Sequence, residues 1–177
     1  MTSSSAVDPR LLALRAAFDR SFAEAASGER PEQQDFLAIR VAATPYAVRL
    51  VEIQNLQMSR KLVAAPSQLP SLLGLAGFRG VLTPVYDLGQ LLGYDAEPSR
   101  KWLVVARSAA PVAFAFEAFD AHLRVTQAQL SPPEAGSSSA IRGAVRHGDS
   151  TLALLHLPSL VEGIAQQIKT FRSAQER

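Results

Sequence analysis

The chain of 177 residues contains no cysteine, and this absence excludes several kinds of chemistry. Disulfide bonds, thiolate nucleophiles and cysteine-ligated zinc all require that side chain. The absence does not identify a compartment, although it is compatible with the cytoplasm. With 47% hydrophobic residues at this length, the chain is expected to form one domain with short terminal additions.

Long apolar runs and blocks of like charge are also missing. No segment approaches the roughly 20 apolar residues that span a bilayer, and the start of the chain does not resemble a signal peptide. The 18 basic and 16 acidic residues give a net charge of +2, and no Lys or Arg cluster is interleaved with aromatic residues. We therefore predict a cytoplasmic protein without a nucleic-acid surface and without direct membrane insertion.

Motifs for catalysis or metal binding are not found. None of the three histidines has the spacing of a metal ligand, and the sequence contains no nucleophile elbow, P-loop or S-x-x-K motif. Glu117 and Asp120 are the only close carboxylate pair in a predicted strand, and no other feature supports a catalytic role for them. We therefore predict no catalytic residue, no metal and no cofactor.

The hydrophobic pattern predicts a mainly β protein. Short apolar segments alternate with turns about every ten residues, which is typical of barrels or sandwiches. There is no strict sequence repeat, although each half has about five strand-like segments followed by a short helix. The predicted strands are 36–41, 46–50, 61–65, 102–106, 112–116, 119–125, 141–145 and 151–157, with two more around the Arg79-Gly80 step. Residues 51–58 either extend the second of these strands or form another one.

Two longer helices are predicted at the ends of the chain. Residues 8–27 form an amphipathic pattern that begins with Asp8 as N-cap and Pro9 in the first turn. This helix belongs to an extension, 1–34, that either packs on the following domain or serves docking or self-association. At the other end, Ser159 is predicted to cap a helix within 159–177. The intervening domain is placed at 35–165.

The most informative segment runs from Leu73 to Gly93. A turn is expected at Arg79-Gly80, because glycine adopts backbone conformations that other residues resist. Asp87 then has the position of an N-cap, and Gln90 completes a capping-box spacing. Two interpretations of the Arg79 guanidinium remain open: a solvated or carboxylate-paired turn cation, or an outward contact for a partner.

This segment resembles the signature of the chemotaxis coupling proteins, the CheW-like domains. The resemblance extends over roughly 36–160. It is carried by the Arg-Gly step, the Pro-Val-x-Asp-Leu step that follows it, and weaker matches elsewhere: Tyr46-Ala47-Val48, 50–56, 112–119, Ile141-x-Gly143 and 152–160.

The resemblance implies a fold and a role. The fold would be two packed five-stranded SH3-like barrels with a shared apolar core and a C-terminal helix, to which this chain adds its N-terminal helix. The role would be that of a non-catalytic adaptor between the cytoplasmic tip of a methyl-accepting chemoreceptor and a CheA-like histidine kinase, recruited by these partners to membrane-associated arrays. A helical receptor tip would bind an apolar groove between the barrels.

The same resemblance implies two sets of partner-binding residues. The predicted receptor-binding residues are Leu75, Phe78, Arg79, Gly80 and Val81. The predicted kinase-binding residues are Ile53, Asn55 and Leu56.

Two departures from the family pattern change the local charge. Asn55 stands where the family usually has Glu, and Arg49 stands where it often has an acidic residue. Alternative functions are therefore a scaffold that binds the receptor but not the kinase, or a β-barrel that binds a small ligand.

Overall fold

The computed structural model describes residues 32–59, 61–95 and 99–175, so the predicted helix at 8–27 lies outside the described residues. Two mixed β-sheets account for most of this region. The first sheet contains β1 (Gln33–Val41), β2 (Thr44–Arg49), β8 (Ala118–Thr126), β9 (Leu130–Ser131), β10 (Ile141–His147) and β11 (Ser150–Leu155). The second sheet contains β3 (Ile53–Met58), β4 (Leu72–Phe78), β5 (Val81–Asp87), β6 (Trp102–Ala106) and β7 (Ala113–Phe116).

Two α-helices accompany the sheets in the described part of the chain. Helix α1 (Leu88–Leu91) follows β5, and helix α2 (Leu157–Gln175) follows β11. Within these ranges no helix has both the length and the apolar character required to cross a membrane. The predicted mainly β fold with a C-terminal helix is confirmed.

The two sheets correspond strand for strand. The second sheet has the order β3-β6-β7-β5-β4, and the first has the order β8-β1-β2-β11-β10-β9. Each contains one parallel pair at the same place in the order, β7 with β5 and β2 with β11, while the other pairs are antiparallel. The first sheet thus has six strands where five were predicted, because β9 adds to its edge. In the second sheet, the position of β9 is taken by a single bridge between Val63 and Leu75. The predicted strand 61–65 is therefore present only as this bridge.

A glycine at the same place in each sheet lets another segment cross a strand closely. A Cβ on Gly74 would lie 2.5 Å from the carbonyl oxygen of Val63, and a Cβ on Gly143 would lie 2.3 Å from that of Ser131. No side chain fits at such distances, and both glycines also have positive φ angles that disfavour other residues. The crossing that adds β9 to one sheet and Val63 to the other therefore depends on glycine.

The core has three parts that follow from the alternation of side chains along each strand. Phe36 and Ala38 of β1 point into a cluster enclosed by the first sheet. Leu37, Ile39 and Val41 of the same strand point into a larger cluster shared by both sheets and α2. The second sheet encloses a third cluster. This arrangement confirms two barrel-like units on a shared apolar core.

Helix α2 begins two residues before the predicted cap, so the prediction that Ser159 is the N-cap is wrong. His156 takes that role, because its Nδ1 accepts a hydrogen bond from the Ser159 amide at 3.2 Å. The Leu157 amide donates a hydrogen bond to Oε2 of Glu52 at 2.9 Å, so a residue distant in sequence satisfies the first amide of the helix. Pro158 lies in the first turn, where its missing N–H costs no intrahelical bond.

Glu52 lies in the 3₁₀ turn Leu50–Glu52, where the chain passes from the first sheet to the second. Its side chain is only 10% exposed, and its Oε1 lies 4.0 Å from Nε2 of His156. Burial raises the pKa of the Glu52 carboxyl, while the Leu157 amide, His156 and Arg49 oppose this increase. The net raised pKa means that the charged form of this carboxyl disfavours the folded state.

We predict that Glu52→Gln leaves the protein as stable as the original chain at neutral pH, or more stable. The glutamine oxygen can still accept from the Leu157 amide, while the buried charge is removed. Because the folded state binds the Glu52 proton more tightly than the unfolded state, stability falls as pH rises through the raised pKa. Urea unfolding between about pH 4 and pH 7 should therefore show an advantage for Glu52→Gln that increases with pH.

Glu52→Ala is the matched variant for this measurement, because it removes both the charge and the oxygen that accepts from the Leu157 amide. It should be less stable than Glu52→Gln at every pH. An advantage of Glu52→Gln that shrinks as pH rises would contradict the raised pKa.

The β1–β2 turn has an unusual backbone. Ala42 and Ala43 both have positive φ angles, 48° and 62°, a conformation that favours glycine or asparagine. The left-handed region costs an L-residue roughly 1–2 kcal/mol. A carboxylate oxygen of Glu117 accepts a hydrogen bond from the Ala43 amide at 3.0 Å, which stabilises the turn from outside the hairpin.

We predict that Ala43→Gly raises the free energy of unfolding by about 0.5–1 kcal/mol, because it removes the left-handed strain and keeps the amide that binds Glu117. Urea unfolding would measure the change. Ala165→Gly is a matched control, since Ala165 is exposed in α2 and the same exchange should cost about 1 kcal/mol there. Destabilisation by both exchanges would contradict the strain in the turn.

Candidate functional site

The Arg79-Gly80 step forms the turn of the β4–β5 hairpin. Phe78 pairs with Val81 across the hairpin, so the loop contains only two residues. Arg79 and Gly80 have φ angles of 49° and 83°, which is typical of a type I′ turn. The structure therefore confirms the predicted turn and places Arg79 at the tip of a hairpin.

The backbone of Arg79 has a strained left-handed conformation, and no ion pair between described residues compensates for this strain. Type I′ turns favour Asn, Asp or Gly at this position, because the left-handed conformation brings a Cβ close to the backbone. The side chain is exposed, and no ion pair between described residues includes the Arg79 guanidinium. In the Ala42–Ala43 turn, by contrast, Glu117 contributes a compensating hydrogen bond.

A groove of about 120 Å³ lies beside this turn. Phe78, with 7% of its surface exposed, and Val105, with 3%, are its buried apolar members. Asn55 and Gln54 bring amide groups from β3, and Arg79 brings the only charge among the lining residues. The complete lining is Gln54, Asn55, Phe78, Arg79, Val81, Thr83, Val105 and Pro111.

The groove contains residues from both predicted partner-binding sets. Phe78, Arg79 and Val81 were predicted to bind the receptor, whereas Asn55 was predicted to bind the kinase. The groove is lined only by residues of the second sheet and its connecting turns. It is therefore a different surface from the groove between the two barrels that the family resemblance implies.

The other predicted residues lie outside the groove. Gly80 is in the turn itself, and Leu75 is half-buried on β4. Ile53 is buried in the shared core, and Leu56 is half-buried against that core.

Four groove residues were not predicted from the sequence: Gln54, Thr83, Val105 and Pro111. Thr83 could have been found from strand periodicity, because it follows Val81 by two residues and so shares its face. Val105 and Pro111 follow the end of the hairpin at Asp87 by 18 and 24 residues, and no local pattern connects them with it.

The chemistry of the groove suits recognition of a side chain. Neutral amides and one guanidinium surround an apolar floor, and the lining contains no carboxylate, histidine or lysine that could exchange a proton near neutral pH. A guanidinium at the rim favours a carboxylate partner and gives the contact a preferred direction.

Asp87, the acidic residue of the Pro-Val-x-Asp-Leu step, has a structural role. Its Oδ1 accepts from the Gly89 amide at 2.9 Å and from the Gln90 amide at 3.5 Å, which confirms the predicted N-cap of α1. Its Oδ2 accepts from Nε of Arg100 at 2.8 Å and also contacts Nη2. The predicted capping box is not formed, since Oε1 of Gln90 is buried without a hydrogen-bond partner among the described residues. No local pattern in the sequence connects Arg100 with Asp87.

We predict that Asp87→Ala lowers the free energy of unfolding by about 3 kcal/mol, because it uncaps α1 and leaves the Arg100 guanidinium without its carboxylate. Only 3% of the Asp87 side chain and 23% of the Arg100 side chain are exposed, so water compensates little. Urea unfolding would measure the loss. Asp95→Ala, which removes an exposed carboxylate nearby, should change stability by less than about 0.5 kcal/mol. Equal effects of the two exchanges would contradict the structural role of Asp87.

Comparison with known proteins agrees with this fold. The family model for the CheW-like domain matches residues 35–165. The chain therefore belongs to the CheW-like domain family, whose members are scaffold and coupling proteins of chemotaxis signal transduction.

A solved structure has the same fold at low sequence identity. The scaffolding protein TtCheW from Thermoanaerobacter tengcongensis is similar with a TM-score of 0.66 and 14% identity, over 71% of this chain and 90% of that one. No curated protein sequence is significantly similar to the chain.

Proposed function

We propose that this protein is a non-catalytic adaptor that connects the cytoplasmic tip of a chemoreceptor to the regulatory domain of a CheA-like histidine kinase. Two observations support this role: the family to which the chain belongs, and a groove whose lining has no carboxylate, histidine or lysine. The protein would act in the cytoplasm and reach membrane-associated arrays through its partners. Residues 1–34 would be an extension outside the binding domain at 35–165.

The observation that carries the proposal is the strained backbone of Arg79. A left-handed arginine costs stability, and the described chain offers its guanidinium no ion pair in return. Strain that serves no local contact points to a function for the side chain. A binding partner would supply the missing contact.

The groove suggests how a receptor tip would bind. An apolar side chain from a helix would lie against Phe78 and Val81, and a carboxylate from the same helix would reach Arg79 at the rim. Because Val81 is 52% exposed, this contact would also cover apolar surface that water now reaches.

The position of Asn55 favours a second candidate, an adaptor that binds the receptor but not the kinase. Asn55 lines the same groove as Arg79, so a receptor helix in that groove would cover it. The two other residues predicted to bind the kinase pack in or against the shared core. A kinase contact would then require a different surface.

A small-ligand site has less support. At about 120 Å³ the groove is smaller than the roughly 300 Å³ at which ligand pockets begin. Its position at a hairpin tip also leaves it open to a protein surface.

We predict that Arg79→Asn separates binding from folding. Asparagine suits the left-handed turn better than arginine, so the free energy of unfolding should stay equal or rise by up to about 1 kcal/mol. Loss of the guanidinium should weaken binding to a receptor signalling-tip fragment by at least about tenfold, in line with loss of a charge-assisted contact. Titration calorimetry and urea unfolding on the same sample would measure the two effects.

The matched control is Arg146→Asn, which removes an exposed arginine from the β10–β11 hairpin of the first sheet. It should leave receptor binding unchanged. Unchanged receptor binding by Arg79→Asn would show that the assigned role of Arg79 is wrong.

A parallel titration with the kinase regulatory domain would separate the two candidates. Binding of both partners supports the bridging adaptor, binding of the receptor alone supports the second candidate, and binding of neither contradicts both.

A further inference from the structure

The groove beside Arg79 brings together residues from the two edge strands of the second sheet. Strands β3 and β4 stand at opposite ends of the strand order. Both nevertheless line the groove, β3 through Gln54 and Asn55 and β4 through Phe78, which directly precedes Arg79. A side chain on β3 and the guanidinium at the hairpin tip therefore border the same small volume, although they are distant in sequence.

Of the two amides that β3 contributes to the groove, Asn55 is the one beside its floor. Asn55 pairs with Val105 of β6, and paired residues place their side chains on the same face of a sheet. Val105 is a buried member of the groove lining. Asn55 is half-buried, whereas Gln54 is exposed. The polar group that meets the apolar floor from β3 is thus a neutral amide.

The neutrality of Asn55 decides the net charge of the groove. Arg79 is the only charged residue of the lining, and no ion pair between described residues includes its guanidinium. A carboxylate in place of the Asn55 amide would border the same groove as this guanidinium, and arginine pairs readily with carboxylates. The guanidinium would then be engaged within the chain, and the groove would have no net charge to offer.

We propose that Asn55 is a specificity-determining residue, which keeps the groove cationic by leaving Arg79 unpaired and so selects an acidic helical segment of the partner. The proposal rests on the proposed function, because the partner is the receptor tip, and it adds the residue that sets the sign of the charge recognised. A segment with Lys or Arg at the same place would be rejected, since like charges in a partly buried contact repel.

The Asn55 amide can also take part in the contact itself. A carboxylate accepts several hydrogen bonds, so one that is bound by Arg79 can accept another from the NH₂ group of Asn55. An aspartate at this position has nearly the same shape as asparagine but donates no hydrogen bond when ionised. The exchange Asn55→Asp therefore changes the charge of the groove while it keeps the size of the side chain.

The first test is titration calorimetry of the full chain with a receptor signalling-tip fragment. Asn55→Asp should weaken binding by about tenfold or more, because the introduced carboxylate pairs with Arg79 and repels the acidic segment. Asn55→Ala, which removes the amide but adds no charge, should weaken binding by a smaller factor. Gln167→Glu is the matched control, since it makes the same amide-to-acid change on an exposed residue of α2 and should leave binding unchanged.

Reversing the charge of the groove should reverse its preference. The double variant Asn55→Asp, Arg79→Asn has a carboxylate as the only charge of the lining. It should bind the original receptor fragment weakly, and it should bind more tightly a fragment in which the acidic residues of the tip are replaced by lysine. The original chain should show the opposite order of affinities.

The second test requires no receptor. In the Asn55→Asp variant, an NMR titration should give the introduced carboxyl a pKa below its ordinary value of about 3.9, because the Arg79 guanidinium stabilises the charged form. Adding Arg79→Asn to this variant should raise that pKa again. The comparison measures whether the two positions interact across the groove, independently of any partner.

The two tests separate failure of this proposal from failure of the proposed function. If Arg79→Asn leaves the pKa of the introduced carboxyl unchanged, the two positions do not interact and the role of Asn55 is wrong. If Arg79→Asn weakens receptor binding but Asn55→Asp does not, the role of Asn55 is again wrong, while the proposed function stands. If neither exchange weakens receptor binding, the proposed function is wrong, and this proposal is wrong with it.

Discussion

The shared apolar core between the two sheets is the constraint on which the rest of this structure depends. Both sheets and α2 contribute to it, so each barrel-like unit buries one face only by packing on the other. This explains why the chain is anchored where it passes between them. Glu52 holds the first turn of α2, and Arg107 donates to the carbonyl oxygens of Val51 and Ile53 on either side of Glu52. The groove-lining strand β3 begins at this anchored point.

Three non-glycine residues in the described chain have left-handed backbones, namely Ala42, Ala43 and Arg79. They lie in two hairpin turns that differ in what stabilises them. At Ala42 and Ala43 the left-handed backbone is stabilised from outside by Glu117, and the hairpin tip packs beside α1. At Arg79 the same conformation exposes a cation at the rim of a groove. The first turn is stabilised by a contact within the fold, whereas no ion pair between described residues compensates for the strain of the second.

Local patterns predicted the parts of the fold that depend on neighbouring residues. The cap at Asp87 and the turn at Arg79-Gly80 follow from positions a few residues apart. Contacts between distant residues could not be predicted in this way. Arg100 on Asp87, Glu52 on the first amide of α2, and Pro111 beside Arg79 each require the packed structure. The resemblance to a family supplied the global arrangement, but not which predicted site residues share one groove.

The correspondence between the two sheets has a consequence for recognition. Strands β4 and β10 have the same length, each contains a glycine where another segment crosses, and each ends in a two-residue turn. The backbone therefore presents two hairpins with first strands and loops of the same length, one with Arg79 at its tip and the other with Asp149. Their turns differ, because Arg79 and Gly80 both have positive φ angles, whereas in the β10–β11 turn Gly148 does and Asp149 does not. The two tips therefore differ in backbone conformation as well as in charge, which lets a partner distinguish them.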